Sequence, residues 1–389
     1  MAALVRAILA QSNGQLRLCE AHDRASTELV RDSIADNGQC FDGIWISGLT
    51  QTTMLGVPDT ELISPLKRAQ LMTTVYKPSQ KNARQLCAAF DADSGGDVKD
   101  IGALVSVLAA KGVSMIVVED KAVAKPGDKV NSLLTTSSAQ SQADMHAFAD
   151  VIRAFKAASA GKNVMVTARI ESFTTRSTKR DPAEERMSVQ GALRDALARA
   201  NVYTGAGVDA IMIHSKSTEP DEVLGFLKGF RLRDATTPVV VVPTAYSSTK
   251  RSVLAAAGAN IFIYANHLMR AKIKAAAEVL EDVQGLAETG KSTLVNGLDD
   301  ELSPSWKAGN YGYFLRKMAE RRFPDQSGGN DMLVRLYMAA EEKALENVQA
   351  AVKELAGGEL CGCEADDWII SVKELLAINA CHVSRIDIE

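Results

Sequence analysis

Three carboxylates come just after two short apolar runs of the chain. Asp91 and Asp93 follow the run 86–90, and Glu119 follows the run 114–118. Side chains alternate along a strand and parallel strands lie ~5 Å apart, so the three carboxylates would meet on one side of a sheet. Carboxylates this close repel one another unless a positive charge lies between them. The spacing predicts a site for Mg²⁺, which prefers oxygen ligands, although helix caps or salt bridges would use the same residues.

Arg169 and His214 follow two later apolar runs. A guanidinium presents a planar set of donors that suits phosphate or carboxylate oxygens. Arg169 could equally form an ion pair with one of the acids, and a lone histidine is more often structural. Together on one edge of a sheet, the two side chains predict a site that binds an anion.

The segment that follows Glu119 has few large apolar residues and contains Pro126 and Gly127, which predict a turn. It ends with Lys129, Asn131 and Ser132. A segment of this composition can open and close over a site, although a plain surface loop would look the same.

The elements that must position these residues recur along the chain. Short apolar runs alternate with segments of helical spacing, such as Asp144–Ala157, Ser188–Ala200 and Asp221–Gly229. The runs are Leu16–Cys19, Gly43–Ser47, Leu86–Phe90, Ser114–Val118, Val164–Ala168, Ala210–Ile213, Val239–Val242 and Ile261–Tyr264. Continuous apolar runs are typical of parallel strands buried on both faces. Eight of them over about 250 residues predict an α/β protein with a (β/α)₈ TIM-type barrel. A doubly wound open sheet is the alternative, but it often begins with a Gly-rich turn that this chain lacks.

Nearly every run ends in a polar residue, and the carboxyl ends of barrel strands point at one common site. These residues are Glu20, His22, Ser47, Asp91, Asp93, Glu119, Arg169, His214, Thr244 and Asn266. The pattern predicts an active site at one rim of the barrel.

The pattern changes after Gly285, where helical segments such as Asp331–Leu355 follow and predict an all-helical C-terminal extension. The residues Gly285–Ser292 match the letters of a phosphate-binding P-loop. The segment before them has helical spacing, whereas a P-loop needs a preceding strand, so we do not predict nucleotide binding.

The composition limits the classes of partner. The chain has 389 residues, of which 46% are hydrophobic, and a net charge of −4, so no basic surface for nucleic acid is indicated. No apolar run approaches the ~18 residues of a membrane span. The six cysteines are few and scattered, which is typical of reduced thiols in a cytoplasmic protein.

Taken together, motifs spread over roughly residues 15–275 resemble the phosphoenolpyruvate mutase branch of the phosphoenolpyruvate mutase/isocitrate lyase superfamily. They occur in the order of that family. The motifs are Glu20-Ala-His22, Gly43-Ile-Trp45-Ile-Ser47-Gly48-Leu49, Leu55-Gly-Val-Pro-Asp59, Asp91-Ala-Asp93, Glu119-Asp120-Lys121, Lys129-Val-Asn131-Ser132, Ala168-Arg169-Ile-Glu171, His214-Ser-Lys216, Val242-Pro243-Thr244 and Ala265-Asn266-His267.

The resemblance implies the organisation of the chain: a catalytic barrel over residues 1–285, a helical insertion over 286–366, and a C-terminal helix over 367–389. That last helix would return to the barrel or to a partner subunit. Members of the family usually form dimers or tetramers, so a homodimer or homotetramer is expected.

The resemblance also implies how the substrate and the metal would be held. Ser47, Gly48 and Leu49 would bind the carboxylate and phosphoryl end of a small substrate, with Trp45 as a wall and Ser132 nearby. The metal ligands form a second set: Asp91 would hold Mg²⁺ directly, and Asp93 and Glu119 would do so through waters.

The remaining roles implied by the resemblance concern the group that is transferred. Asn131, Arg169 and His214 would hold the phosphoryl group, and Asp59 and Lys129 would lie beside the reacting atoms. The expected reaction moves phosphorus from oxygen to carbon, interconverting phosphoenolpyruvate and 3-phosphonopyruvate.

Three alternatives within the superfamily have different weight. The carbon–carbon lyases use a cysteine in a Lys-(Lys/Arg)-Cys-Gly-His stretch, and this chain has no cysteine between Cys87 and Cys361, so lyase chemistry is disfavoured. Phosphonopyruvate hydrolase, which releases pyruvate and phosphate, shares the metal site and the phosphoryl ligands. A non-catalytic relative whose helical appendage binds a partner is the third alternative.

Overall fold

The computed structural model describes residues 4–75, 84–130, 140–176 and 178–276. They belong to one compact unit that ends at Ala276. The predictions for Asn131 and Ser132, for the P-loop-like motif, for the insertion 286–366 and for the helix 367–389 fall outside the described residues and stay predictions.

Eight parallel strands form a closed barrel in chain order, which confirms the predicted (β/α)₈ architecture and excludes the open sheet. The strands are β1 (Leu16–Glu20), β2 (Gly43–Ile46), β3 (Cys87–Asp91), β4 (Met115–Glu119), β5 (Met165–Ile170), β6 (Ala210–Ile213), β7 (Val239–Val241) and β8 (Ile261–Tyr264). Closure is made by β8 and β1, whose register pairs Leu18 with Ile263.

Helices lie between the strands. They are α1 (Leu4–Gln11), α2 (Arg24–Asp32), α3 (Gly48–Met54), α4 (Pro65–Leu71), α5 (Ile101–Ala110), α6 (Met145–Ala158), α7 (Ser172–Thr175), α8 (Pro182–Gly205), α9 (Asp221–Arg231) and α10 (Arg251–Ala256). The chain is helical again over residues 267–276.

Every predicted segment within the described residues contains an element, but several boundaries were wrong by one or two residues, and one helix is much longer than predicted. The prediction Ser188–Ala200 covers only the middle of α8, because the helix begins at Pro182. Asp181 caps it by accepting hydrogen bonds from the backbone of Ala183 and Glu184, and proline is favoured in the first helical turn. The beginning of α8 was missed because its first turns are rich in charged residues and show no apolar spacing.

Alternation along the strands divides the apolar residues into two layers. One set, including Leu18, Ala89 and Val117, fills the inside of the barrel together with Leu9 of α1. The other set, including Phe90 and Val118, faces the surrounding helices. The inward-facing positions at the carboxyl ends of the strands continue the inner set, so whatever occupies them points into the mouth of the barrel.

Two further observations concern the predictions made from composition about membrane spans and cysteines. Within the described part of the chain, no helix combines the length and apolarity that a bilayer crossing requires. Cys19, Cys40 and Cys87 are free thiols.

Candidate active site

Four consecutive strands, β3 to β6, place a charged or titratable side chain at the barrel mouth. Asp91, Glu119 and Arg169 occupy the last inward-facing positions of β3, β4 and β5, and His214 directly follows β6. Each of the four is at least nine-tenths buried. Arg169 lies at their centre. Its Nη2 atom is 3.0 Å from His214 Nδ1 and 3.2 Å from Glu119 Oε2, and its Nη1 atom is 3.9 Å from Asp91 Oδ2. The structure therefore brings together the four residues on which the sequence-based hypothesis depends.

Glu171, which the sequence analysis did not single out as a site residue, holds the Arg169–His214 pair from behind. It forms an ion pair with Arg169, and its Oε1 atom lies 3.3 Å from His214 Nδ1. Burial alone would raise the pKa of the Glu171 carboxyl, but Arg169, Lys121 and His214 hold that pKa well below its usual range. Only its place two residues after Arg169, inside a recognised motif, could have signalled it.

His214 remains neutral near physiological pH. Burial and the adjacent Arg169 lower the pKa of its imidazole, and Glu171 offsets this only in part. His214 Nδ1 faces both Arg169 Nη2 at 3.0 Å and Glu171 Oε1 at 3.3 Å. The shorter contact is to a guanidinium, which can only donate, so it favours the tautomer with the ring proton on Nε2.

Asp93 is held by two buried cations rather than left to repel its neighbours. Arg68 Nη2 lies 2.6 Å from Asp93 Oδ2, and Lys129 Nζ forms an ion pair with Asp93 Oδ1. Burial opposes ionisation of Asp93, but Arg68 and Lys129 hold its pKa below the usual range. Arg68 also donates to the Asp91 carbonyl oxygen and to Gln51 Oε1, both at 2.6 Å. An arginine in an ordinary helix such as α4 gives no sequence signal of this role.

The ion pairs of Asp91 and Glu119 are longer than the 2.6 Å pair of Asp93 with Arg68: Asp91 lies 3.9 Å from Arg169, and Glu119 lies 3.2 Å from Arg169 and 3.5 Å from Lys121. Burial and the nearby Asp93 raise the pKa of Asp91 despite Arg169 and Lys129. Both carboxylate oxygens of Glu119 are buried without a hydrogen-bond partner among the described residues. Buried carboxylates of this kind are usually paired or bind a metal ion.

A metal ion bound only by protein side chains is not supported by the geometry. In the described ranges, no group of three or more Asp, Glu, His or Cys side chains is placed to ligate an ion. Asp93 is already paired with Arg68 and Lys129, so the acidic cluster offers few direct ligands. This arrangement suits an ion that keeps most of its waters, as Mg²⁺ does.

Lys129 and Asp59 enter the mouth from loops. Lys129 Nζ lies 3.1 Å from Asp59 Oδ1, and both side chains line the same pocket as Arg169. Burial by itself would lower the pKa of Lys129, but Asp93, Glu119 and Asp59 raise it well above its ordinary value, so the ammonium stays charged.

The β2–α3 junction forms the next part of the wall. Trp45, Ser47 and Leu49 line the pocket. The Gly48 amide donates to Asp91 Oδ2 at 3.3 Å. A Cβ atom at Gly48 would lie 3.1 Å from Asp93 Oδ1, so a larger residue would crowd the carboxylates.

The opposite side of the pocket carries no charged side chain among the residues that line it. It is formed at the ends of β7 and β8 by Val242, Thr244, Ala245, Ala265 and Asn266. Thr244 Oγ1 accepts a hydrogen bond from the Ala265 amide at 3.3 Å, which joins the two strand ends. Thr244 and Asn266 therefore lie at the mouth, as their positions after apolar runs predicted.

Glu20 and His22 do not line this pocket, although they too lie at the end of a strand, β1. Glu20 Oε1 lies 2.7 Å from His22 Nδ1, and Glu20 Oε2 accepts from the Met269 amide at 3.0 Å. The pair thus fastens β1 to the chain after β8, so the prediction that every polar strand end points at the common site was wrong for these two.

Glu61 is a second residue that sequence reasoning missed. It has a φ of 56°, is buried, and its carboxylate accepts from Ser94 Oγ at 2.7 Å. Burial and the neighbouring Asp93 raise the pKa of Glu61 to about 7.

Similarity to known proteins decides the family of this chain. The family model described as phosphoenolpyruvate phosphomutase matches residues 5–284, which is more than half of the chain. The chain belongs to the phosphoenolpyruvate phosphomutase family. The match spans the barrel and all the residues described above.

Individual relatives carry two different names. A phosphoenolpyruvate phosphomutase from Tetrahymena pyriformis is 31% identical over 270 residues, which are 69% of this chain and 79% of the relative. A phosphonopyruvate hydrolase from Variovorax sp. (strain Pal2) is 30% identical over 246 residues, 63% of this chain and 76% of the relative. Among solved structures, a phosphonopyruvate hydrolase in complex with oxalate and Mg²⁺ has a TM-score of 0.59 and 26% identity, covering 84% of this chain and all of that one.

Proposed function

We propose that this protein is an isomerase that interconverts phosphoenolpyruvate and 3-phosphonopyruvate and so forms the carbon–phosphorus bond for phosphonate biosynthesis. One observation carries the proposal: Arg169 and His214 meet at 3.0 Å in the pocket that Asp91 also lines, and Glu119 lies 3.2 Å from Arg169. In the forward direction, the bond from phosphorus to the enol oxygen breaks and a bond from phosphorus to C3 forms. No atom is gained or lost.

Mg²⁺ is proposed as the cofactor, since the residues present fit it. Asp91, Glu119 and Glu171 all lie within 4 Å of the single guanidinium of Arg169, and the buried oxygens of Glu119 make ion-pair contacts but no hydrogen bond within the described part. Asp91 would hold the ion directly, and Asp93 and Glu119 would do so through waters. When bound, Mg²⁺ supplies positive charge that stabilises the enolate oxygen of the pyruvyl group. The related hydrolase binds Mg²⁺ together with oxalate.

The phosphoryl group is assigned to the Arg169 side of the pocket. Arg169 supplies a fixed positive charge, and His214 can donate its Nε2 proton to a phosphoryl oxygen. Asn131, outside the described residues, is proposed as the third ligand. Because phosphoryl transfer proceeds through a loose transition state, catalysis depends mainly on such positioning and charge stabilisation.

The pyruvyl end is assigned to the β2–α3 junction. Ser47, Gly48 and Leu49 would bind the carboxylate of the substrate, Trp45 would pack against its planar face, and Ser132 would contribute from the loop. The assignment is supported by the position of this junction beside Asp91, to which the Gly48 amide donates.

Lys129 and Asp59 are proposed to lie beside the migrating group. Their 3.1 Å contact fixes the ammonium, and the raised pKa keeps it charged while phosphorus leaves oxygen. The Lys129 ammonium and the neutral His214 imidazole would both attract the oxygens of the migrating phosphoryl group, and neither would transfer a proton to the enolate.

Phosphonopyruvate hydrolase is the second candidate, favoured by the relative of that name at 30% identity. In that reaction water adds to phosphorus, the carbon–phosphorus bond breaks, and C3 takes up the proton, which gives pyruvate and phosphate. The family resemblance implies the same metal site and the same phosphoryl ligands for both candidates.

The deciding experiment incubates the purified full chain with phosphonopyruvate and Mg²⁺ and follows the products by phosphorus NMR. Formation of phosphoenolpyruvate supports the isomerase, whereas phosphate and pyruvate identify the hydrolase. A parallel sample with excess chelator should show no turnover. An inactive protein under varied conditions would point to a non-catalytic relative.

A homodimer or homotetramer is proposed as the working form on the family resemblance alone, and a cytoplasmic location on the few, scattered cysteines. Light scattering coupled to size-exclusion chromatography measures the assembly directly, and a monomeric mass would contradict it.

A further inference from the structure

A buried polar cluster lies behind the barrel wall, on the side away from the pocket. Asp120 follows Glu119, so its side chain points outward from the barrel, towards α8. It has no exposed surface. Its carboxylate accepts hydrogen bonds from Tyr203 Oη at 2.7 Å, Arg199 Nη1 at 3.1 Å and Gln142 Nε2 at 3.1 Å. We call Asp120, Gln142, Arg199 and Tyr203 the Asp120 cluster.

The Asp120 cluster is joined to the active site through the backbone at the end of β5. The Asp120 amide donates to the Arg169 carbonyl oxygen at 3.1 Å, and Asp120 Oδ1 accepts from the Glu171 amide at 3.0 Å. These two bonds grip the backbone on both sides of Ile170. The side chains of Arg169 and Glu171 project from those gripped positions into the site, where they contact His214.

A second connection leads to Lys129. Lys121 and Gln142 form an antiparallel bridge, and Lys121 Nζ donates to the Val130 carbonyl oxygen at 3.0 Å. Val130 is the neighbour of Lys129. One cluster therefore fixes the backbone beneath Arg169 and Glu171 and, through Lys121, the residue next to Lys129.

Stability alone is a poor explanation for this cluster. Replacing a buried ion pair by well-packed apolar residues is often neutral or stabilising, because taking both charges out of water is costly. What hydrogen bonds of fixed direction provide, and apolar contacts do not, is a defined position for the groups they hold.

We propose that Gln142, Arg199 and Tyr203 act through Asp120 as positioning residues, which hold the phosphoryl-binding side chains so that the group returns to the enolate rather than to water. The inference rests on the proposed isomerase function. Loosening the cluster lets Arg169 and Glu171 shift. Water can then reach phosphorus, the carbon–phosphorus bond of phosphonopyruvate breaks, and phosphate and pyruvate form beside phosphoenolpyruvate.

The test compares Tyr203→Phe with Thr204→Val in the full-length protein. Tyr203→Phe removes one hydroxyl and keeps the ring, which packs edge-on against Phe148 at 5.0 Å between centroids. Thr204→Val removes a hydroxyl from the next residue of α8, where it bonds to the Ala200 carbonyl oxygen within the helix. Gln142→Met is a second variant of the cluster that leaves Tyr203 in place.

Phosphorus NMR gives the rate and the ratio of phosphate to phosphoenolpyruvate formed from phosphonopyruvate. We expect Tyr203→Phe and Gln142→Met to lower kcat by roughly tenfold to a hundredfold, the range that a small misplacement of reacting groups causes. Their phosphate share should rise while KM changes little. Thr204→Val should match the wild type in both measurements.

A merely structural role predicts a different result. Partial unfolding lowers the amount of active protein, so both products fall together and their ratio stays that of the wild type. An unchanged ratio in both cluster variants, with or without a lower rate, overturns the proposal.

The wild-type control separates the failure of this inference from that of the proposed function. If the wild type itself releases only phosphate and pyruvate, the isomerase function is wrong, and the positioning role is judged by hydrolysis: a tenfold fall in kcat at constant KM supports it, and a smaller one overturns it. A wild type inactive towards phosphonopyruvate overturns both.

Discussion

The ends of strands β3 to β6 and the ends of β7 and β8 occupy two sides of one barrel mouth, yet their chemistry differs. We call Asp91, Glu119, Arg169 and His214 the charged arc, and Val242, Thr244 and Ala265 the neutral arc. All these residues lie at or just beyond the carboxyl ends of their strands. The barrel supplies the positions, and the residue types alone decide which side of the mouth handles charge.

The difference has an electrostatic consequence. The charged arc holds buried carboxylates that share Arg169, and the oxygens of Glu119 accept no hydrogen bond from the described residues. The neutral arc makes no such demand on a ligand. We therefore expect the phosphoryl group and the metal at the charged arc, whereas the neutral arc should contribute only weak, uncharged contacts to the substrate.

The largest expected effect is that of Arg169→Met. The change removes the cation that contacts both Glu119 and His214, so kcat should fall by about a thousandfold, as when a key oxyanion ligand is lost. Steady-state kinetics with phosphonopyruvate measure it. Arg153→Met, which removes an exposed arginine from α6, is the matched control. A loss below tenfold for Arg169→Met would break the comparison, because the charged arc would then not carry catalysis.

Arg68→Lys should have the next largest effect. The lysine keeps a positive charge but cannot reach Asp93, the Asp91 carbonyl oxygen and Gln51 together, as the guanidinium does. We expect roughly a tenfold to hundredfold fall in kcat and weaker Mg²⁺ activation, from misplaced acidic side chains. The activity is measured against Mg²⁺ concentration. Unchanged Mg²⁺ dependence would show that Arg68 does not position the acidic cluster.

Thr244→Val tests the neutral arc. The variant keeps the shape of the side chain and removes the hydroxyl that accepts from the Ala265 amide at 3.3 Å. Because no charge is lost, kcat/KM should fall by less than about tenfold, roughly the loss of one neutral hydrogen bond. The same kinetic assay serves, with Arg169→Met as the opposite extreme. A thousandfold loss here would mean that the neutral arc also holds the reacting group.

The smallest effect concerns stability. Glu61 has a pKa of about 7 in the folded protein against 4.5 in the unfolded chain, so the unfolded chain loses its proton first as pH rises. The stability associated with this group is therefore complete below pH ~4.5 and is lost as pH rises through ~7. Glu61→Gln keeps an acceptor for Ser94 and should raise Tm by a few degrees at pH 8.5. At pH 5 the gain should be much smaller.

Thermal melts of both proteins in chelator, at several pH values, measure this difference. The control is Glu184, an exposed acid on α8. Gln140→Glu would not serve as a control, because Gln140 accepts a hydrogen bond from the Val130 amide. Glu184→Gln should shift Tm equally at both pH values. A pH-independent gain for Glu61→Gln would contradict the raised pKa.

The barrel could be predicted because eight apolar runs have the length and spacing of strands buried on both faces. The charged arc could be predicted too, because a polar residue after such a run has one direction in which to point. Arg68 and Glu61 could not, because each belongs to a helix or loop in which its residue type is ordinary. Their roles depend on which helix or loop packs against the barrel mouth, and the local sequence does not encode how near to the mouth they lie.

Glu20 shows the opposite error. It is the last residue of β1 as Asp91 is the last residue of β3, and its residue type suits the mouth equally well. The Met269 amide and His22 capture its carboxylate instead. A position at the end of a strand thus predicts where a side chain leaves the backbone, whereas its contacts with other elements decide which way it points.

The backbone at Asp93 has a φ of 48°, a conformation that asparagine, aspartate and glycine tolerate best. The same residue must present two anionic oxygens, one to Arg68 and one to Lys129. Asparagine satisfies the backbone but not the charge, and glutamate satisfies the charge but not the backbone. Aspartate alone meets both requirements, so random mutagenesis with selection for activity should recover no other amino acid at this position.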